Sequence, residues 1–153
     1  AATYCAQGDE HLADSTVTED PDEANLQMEK RMRKMHACKE ALSEPEFHGR
    51  ENPEILVVSW GSNKGVIMDV LESDEMKDVS IGYLHYQYIW PMKTDRFVTL
   101  QKKAKRTVLV ECNYMGQLGM MIKQDCGIGI EDRLLKYDGR PFFYEELLNA
   151  LKS

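Results

Sequence analysis

From residue 54 onward, short continuous hydrophobic runs alternate with stretches in which apolar positions recur every three or four residues. EILVVSW (54–60) is an unbroken apolar run, of the kind buried on both faces of a parallel sheet. KGVIMDVLES (64–73) follows with helical spacing, and DVSIGYLHYQYIW (78–90) supplies a second strand that Pro91 breaks. KTDRFVTLQKKA (93–104) reads as a short helix and RTVLVE (106–111) as a third strand. NYMGQLGMMIKQDCG (113–127) reads as a helix ending in glycine, and EDRLLKYDGR (131–140) as a last strand and turn. PFFYEELLNALKS (141–153) closes the pattern as a helix. Strands and helices alternating at this length predict an α/β domain, with a mostly parallel sheet covered by helices on both faces.

Residues 1–53 read differently, and the predicted division is 1–53 against 54–153. Seven acidic residues and no Lys or Arg lie between Asp9 and Glu23, a composition expected to form a tail or the torn edge of something larger. Asp20-Pro21 marks a helix start, with Asp as N-cap and Pro at the first helical position. Met28, Met32, Met35, Cys38 and Leu42 then fall at steps of 4, 3, 3 and 4, one apolar stripe on a connecting helix. SEPEFHGRENPE (43–54) reads as a linker from its Pro, Gly and charge content.

Charge and composition narrow the function classes. The net charge is −7, from 19 basic and 26 acidic residues, which disfavours nucleic acid or anionic lipid as a partner. No apolar run approaches the ~20 residues that span a bilayer, and the N-terminus shows no signal-peptide pattern, so a cytoplasmic location is expected. Cys5, Cys38, Cys112 and Cys126 are widely spaced, form no C-x-x-C pair and are expected to be free thiols.

Two turns carry the candidate chemistry. SWGSNKG holds Gly61, Ser62 and Asn63 in a G-x-x-x-G arrangement that matches neither a dinucleotide fingerprint nor a P-loop. Ser62 or Asn63 is expected to cap the following helix. VECNYMGQLGMM offers Glu111 at a strand end, Asn113 as a cap, and Gly116, Gln117 and Gly119 at the helix start. Both turns lie at carboxyl ends of strands, where α/β sheets place their sites. The favoured reading of the glycines is close helix-to-sheet packing, with an anion at a helix N-terminus as the alternative. Glu10, His11 and Asp14 could ligate a metal but have no further ligand at suitable spacing, so no metal site is assigned. His36, His48 and His85 have no partner in the linear sequence, and no catalytic residue is assigned.

An ordered set of motifs remains: G-x-E-H (8–11), T-E-D-P (18–21), M-x-K-R-x-x-K (28–34), W-G-S (60–62), E-x-N-Y-x-G-Q-L (111–118) and K-Y-D-G-R-P-F (136–142). Together they resemble the C-terminal part of the alpha subunit of 2-oxoacid:ferredoxin oxidoreductases, especially the 2-oxoglutarate type. Ser59, Asn63, Cys112 and Met115 depart from that pattern. The resemblance implies a three-layer α/β/α sandwich like the transketolase C-terminal domain, preceded by the edge of a thiamine-contacting domain. It also implies a parent enzyme that decarboxylates a 2-oxoacid on thiamine diphosphate with Mg²⁺. Electrons then pass through an iron–sulfur cluster to ferredoxin, and an acyl-CoA forms. Those groups would be held by the beta subunit and the N-terminal domain of the alpha subunit. This chain alone is expected to bind no cofactor and to be inactive. The rival expectation is a stand-alone Rossmann-like module binding CoA or a nucleotide.

Overall fold

A computed structural model describes residues 8–153, and the chain divides into two compact units at Leu42/Ser43. In the first unit, helix α1 (Pro21–Ala41) starts as expected: the Asp20 side chain accepts from the Asp22 and Glu23 N–H groups and Pro21 occupies the first turn. The helix buries no residue, and Met28 and Met32 of the predicted stripe are about half exposed. Residues ahead of it are more ordered than their composition suggests. Leu12 N–H donates to Thr16 O, Thr18 N–H to Glu10 O, and the Glu10 carboxylate takes both Arg31 guanidinium nitrogens at 3.0 and 2.6 Å. That fork holds the Glu10 carboxyl well below its usual range, at about 2.

The second unit is a five-stranded sheet in the order β1-β3-β2-β4-β5. β2 (Ile55–Trp60), β3 (Ile81–Tyr86), β4 (Arg106–Glu111) and β5 (Asp132–Leu135) are parallel, and β1 (Glu46–Gly49) runs antiparallel along β3. Helices α2 (Lys64–Leu71) and α5 (Tyr144–Lys152) cover one face; α3 (Asp95–Gln101) and α4 (Gln117–Cys126) cover the other. Strand alternation distributes the core between them. Val57, Tyr83, Val108 and Val110 meet Ile67, Val70, Leu147 and Leu151, while Leu56, Val58, Leu84 and Leu109 meet Phe97, Leu100, Leu118 and Ile122. This is the expected three-layer α/β arrangement. α4 ends at Gly127, whose φ of 78° and N–H bond to Lys123 O close the helix with a left-handed cap.

One element corrects the sequence reading. Residues 43–54, read as a linker, contribute strand β1, so the α/β unit begins at Ser43 rather than at 54. Its Phe47 ring packs on the bare Cα of Gly82, where a Cβ would stand 2.8 Å from the ring, and the Arg96 guanidinium lies over the ring at 5.2 Å from its centroid. Inside the core, the buried Tyr86 hydroxyl meets no hydrogen-bonding protein atom among the described residues. Tyr86→Phe is therefore expected to leave stability unchanged or raise it by about 1 kcal/mol in urea unfolding; a loss of that size would show that the hydroxyl has a partner.

Candidate site at the carboxyl ends of the strands

β2 and β4 are neighbours, yet the helices that follow them pack on opposite faces of the sheet. The chain runs β2-α2-β3 to one side, crosses back through α3 to β4, and continues outward through α4 to β5. This is the topological switch point, where the diverging loops of an α/β sheet leave a crevice. Both candidate turns flank it. Trp60, Gly61, Ser62 and Asn63 from the β2 turn, and Cys112 and Asn113 from the β4 turn, line a cleft of ≈ 280 Å³. An adjoining groove of ≈ 490 Å³ shares Ser62 and Cys112 and adds Lys136, Tyr137, Gly139, Arg140 and Pro141.

Beneath the cleft, Glu111 is fully buried and its partners are all internal. Oε1 accepts from the Trp60 indole N–H (2.9 Å) and the Asn113 side-chain amide (2.8 Å). Both carboxylate oxygens lie within 3.0–3.1 Å of the Leu118 N–H in the first turn of α4. Asn113 Oδ1 accepts from the Gly116 N–H (2.7 Å) and the Gln117 N–H (3.3 Å). The donors with which a helix N-terminus would grip an anion are thus turned toward two side chains of this chain. The negative charge that the helix dipole favours is supplied by Glu111.

The glycines serve packing. A Cβ on Gly119 would stand 2.7 Å from Leu109 Cδ2, and one on Gly116, where φ is +67°, would stand 3.2 Å from the same methyl. Leu109 occupies the space that the two glycines leave. Capping at α2 differs from expectation: neither Ser62 nor Asn63 makes a side-chain cap, because a 3₁₀ turn over Gly61–Asn63 feeds directly into the helix. The Asn63 amide oxygen instead accepts from the Cys112 thiol at 3.2 Å and ties the two turns together. Gln117 faces away from the cleft, into an apolar groove of ≈ 340 Å³ with Trp60, Ile89, Leu118, Met120, Met121 and Gln124.

Among the described residues, no histidine or carboxylate lines the cleft beside the Cys112 thiol. The cations of the adjoining groove are neutralised: Lys136 Nζ meets both Glu146 oxygens (2.7 and 2.6 Å), and Arg140 pairs with Asp138 at 2.6 Å. These pairs hold the Glu146 and Asp138 carboxyls below their usual range, Glu146 through Lys136 foremost and Asp138 through the Arg140 backbone and side chain. Glu10 is committed to Arg31, His11 Nδ1 to Leu12 O, and Asp14 to Thr16, and no group of three or more His, Cys, Asp or Glu able to hold an ion occurs among the described residues. Cys38, Cys112 and Cys126 are free thiols; Cys5 lies outside the described residues. These donor sets do not fit Mg²⁺ or an iron–sulfur cluster. No described helix is long and apolar enough to cross a membrane.

What the loops present instead is aromatic surface. Trp90, Tyr114 and Tyr137, from the loops after β3, β4 and β5, are 63%, 71% and 65% exposed, and Tyr88 and Met115 are about half exposed. Tyr114 and Tyr137 stack edge to face with centroids 4.9 Å apart. Solvent-facing aromatics gathered at one end of a domain mark a contact surface.

A second polar cluster escaped the sequence reading. In the β1–β3–β2 register, Glu46 lies opposite His85 and His48 opposite Tyr83, with Ser59 opposite His85 on the other side. Tyr83 OH is 2.7 Å from His85 Nδ1, His48 stacks on Tyr83, and the Glu46 carboxylate contacts Lys64 Nζ, His48 Nε2 and the Gln87 amide. Burial, then the nearby Lys64 ammonium, pushes His85 below the ordinary histidine range. Burial likewise pushes Tyr83 up. His48 and His85 lack partners in the linear sequence because strand register brings them together.

Comparisons with known proteins agree with the motif resemblance. No protein-family model matches the chain. The alpha subunit of 2-oxoacid:ferredoxin oxidoreductase 1 from Sulfurisphaera tokodaii is 30% identical over 153 residues, covering 98% of this chain. The chain spans 24% of that relative's length. A solved alpha chain of a probable 2-oxoacid ferredoxin oxidoreductase from Thermoplasma acidophilum is 33% identical, covering 71% of this chain and 94% of that one, with a TM-score of 0.50. The 2-oxoglutarate:ferredoxin oxidoreductase from Magnetococcus marinus, solved with 2-oxoglutarate, coenzyme A and succinyl-CoA, superposes over 99% of this chain and 26% of that one, with a TM-score of 0.84 at 23% identity. The chain belongs to the 2-oxoacid:ferredoxin oxidoreductase alpha-subunit family, of which it spans an α/β domain.

Proposed function

We propose that this chain works as the C-terminal interface domain of its oxidoreductase and presents the aromatic loops at the carboxyl ends of β3, β4 and β5 to the other domains. The observation that carries this reading is the contrast at the switch point. The donors at the start of α4 are taken up by Glu111 and Asn113, while Trp90, Tyr114 and Tyr137 are left in water. A scaffold positions neighbours through such surface and leaves the reacting groups to them.

The parent reaction under this proposal is oxidative decarboxylation of a 2-oxoacid to an acyl-CoA with reduction of ferredoxin. 2-Oxoglutarate is the proposed substrate; that acid is bound in the Magnetococcus marinus neighbour. Thiamine diphosphate, Mg²⁺ and the iron–sulfur cluster belong, in this reading, to the remainder of the alpha subunit and to a beta subunit, in the cytoplasm. The residues of this chain orient and support those partners. The rival reading, a free-standing CoA or nucleotide binder, is disfavoured by the internal occupation of the α4 N-terminus.

Two assays separate them. The chain mixed with thiamine diphosphate, Mg²⁺, 2-oxoglutarate, CoA and ferredoxin is expected to give no ferredoxin reduction, and sustained turnover would overturn the scaffold role. Thermal shifts with CoA or ATP are expected to be flat, whereas saturable stabilisation of about 2.7 kcal/mol at a hundredfold excess over Kd would establish the binding module.

A further inference from the structure

β1 is a four-residue edge strand paired only with β3, and a concentrated set of charges sits over it. One carboxylate, Glu46, serves Lys64 from α2 and His48 from its own strand, and it lies directly opposite the buried His85 of β3. Tyr83 from β3 and Ser59 from β2 complete the surroundings of the His85 ring, and neither brings a negative charge at neutral pH.

We propose that the Glu46–His48–Lys64–His85 cluster is a proton-operated latch that keeps β1 on the sheet at neutral pH and loosens it in mild acid. At neutral pH the Glu46 carboxylate faces the Lys64 ammonium across from a neutral His85. Protonation of the His85 imidazole adds a positive charge near Lys64, and two cations then share a single carboxylate in a partly desolvated site. Something must move apart. α2 is anchored by the fully buried Ile67 and Val70, and His85 lies inside an all-buried strand. β1 is bound by one backbone ladder, the half-buried Phe47 with Arg96 over its ring, and the Glu46 contacts to Lys64 and Gln87, so its separation from β3 relieves the repulsion with the least loss of core.

The sign follows from linkage. A histidine held below its ordinary value in the folded state contributes stability that is complete above about pH 6.5 and declines as the pH falls toward the folded value, because only the released state takes up the proton there. Glu46 is held low chiefly by Lys64, so its contribution is lost only at lower pH, below the ordinary carboxylate value.

Amide hydrogen exchange of the 153-residue chain, corrected for intrinsic rates, tests the latch. Between about pH 7.5 and about pH 5.5 the opening constants of the β1 amides are expected to rise severalfold, up to about tenfold, with those of β2 and β4 changing less than about twofold. In His48→Asn/His85→Asn the β1 response is expected to be flat. A pH-independent β1 in the unsubstituted chain, a rise shared by β2 and β4, or a rise that persists in the double variant would each overturn the proposal. The comparison of strands within the unsubstituted chain decides the matter even if the double variant does not fold.

Discussion

Glu111→Ala is expected to destabilise the α/β unit by about 3 kcal/mol, among the larger losses available to a single side chain here. The substitution removes the shared acceptor of the Trp60 indole, the Asn113 amide and the Leu118 N–H, in a place the structure seals from water. Each abandoned donor costs about 1–3 kcal/mol when it stays dry, and local repacking that admits water recovers part of the sum. Glu111→Gln is the informative companion. Its amide oxygen can still accept, but its NH₂ faces donors, so about half the loss is expected. Urea unfolding reads both through the midpoint at unchanged slope. A loss below about 1 kcal/mol for the alanine variant would show that the carboxylate is not the tie between the turns.

Gly49→Ala ranks next, at about 2–3 kcal/mol. Gly49 closes β1 with φ of +93°, where an L side chain is strained, and a Cβ there would stand 2.5 Å from the Ile81 carbonyl oxygen. That neighbour is backbone in a buried strand, so the clash cannot be relieved by a rotamer change. β1 can only lift away from β3, and the free energy of detaching the edge strand caps the cost. Circular dichroism melts measure the loss, and exchange at the β1 amides localises it. An unchanged melting temperature would contradict the close approach of Gly49 to β3.

How far such features can be read from the sequence depends on how local their causes are. Asp20-Pro21 at the head of α1 and Gly127 at the end of α4 were legible because a cap needs only two or three neighbouring residues. β4 was legible to the residue, since RTVLVE is apolar enough to name itself as a buried strand. β1 was not. EFHG is short, charged and framed by Pro45 and Gly49, and its strand character comes from β3, more than thirty residues away. The candidate turns were found because strand ends in α/β folds announce their position, but the partner of each side chain was hidden. The Trp60 indole reaches Glu111 across fifty-one residues, and Cys112 reaches Asn63 across forty-nine. Within the acidic segment at Asp9–Glu23 the partner of Glu10 was hidden for the same reason: Arg31 lies twenty-one residues further on.

Hydroxyl-radical footprinting tests most directly the proposed meeting of the carboxyl-end loops with neighbouring domains. Oxidation of Trp90, Tyr114 and Tyr137 is compared in this chain alone and in the assembled alpha and beta subunits. Protection of all three by about tenfold on assembly is the result predicted for residues that pass from solvent into a packed interface. Equal oxidation of the three in both states, with protection appearing on the outer faces of α3 or α5 instead, would contradict it.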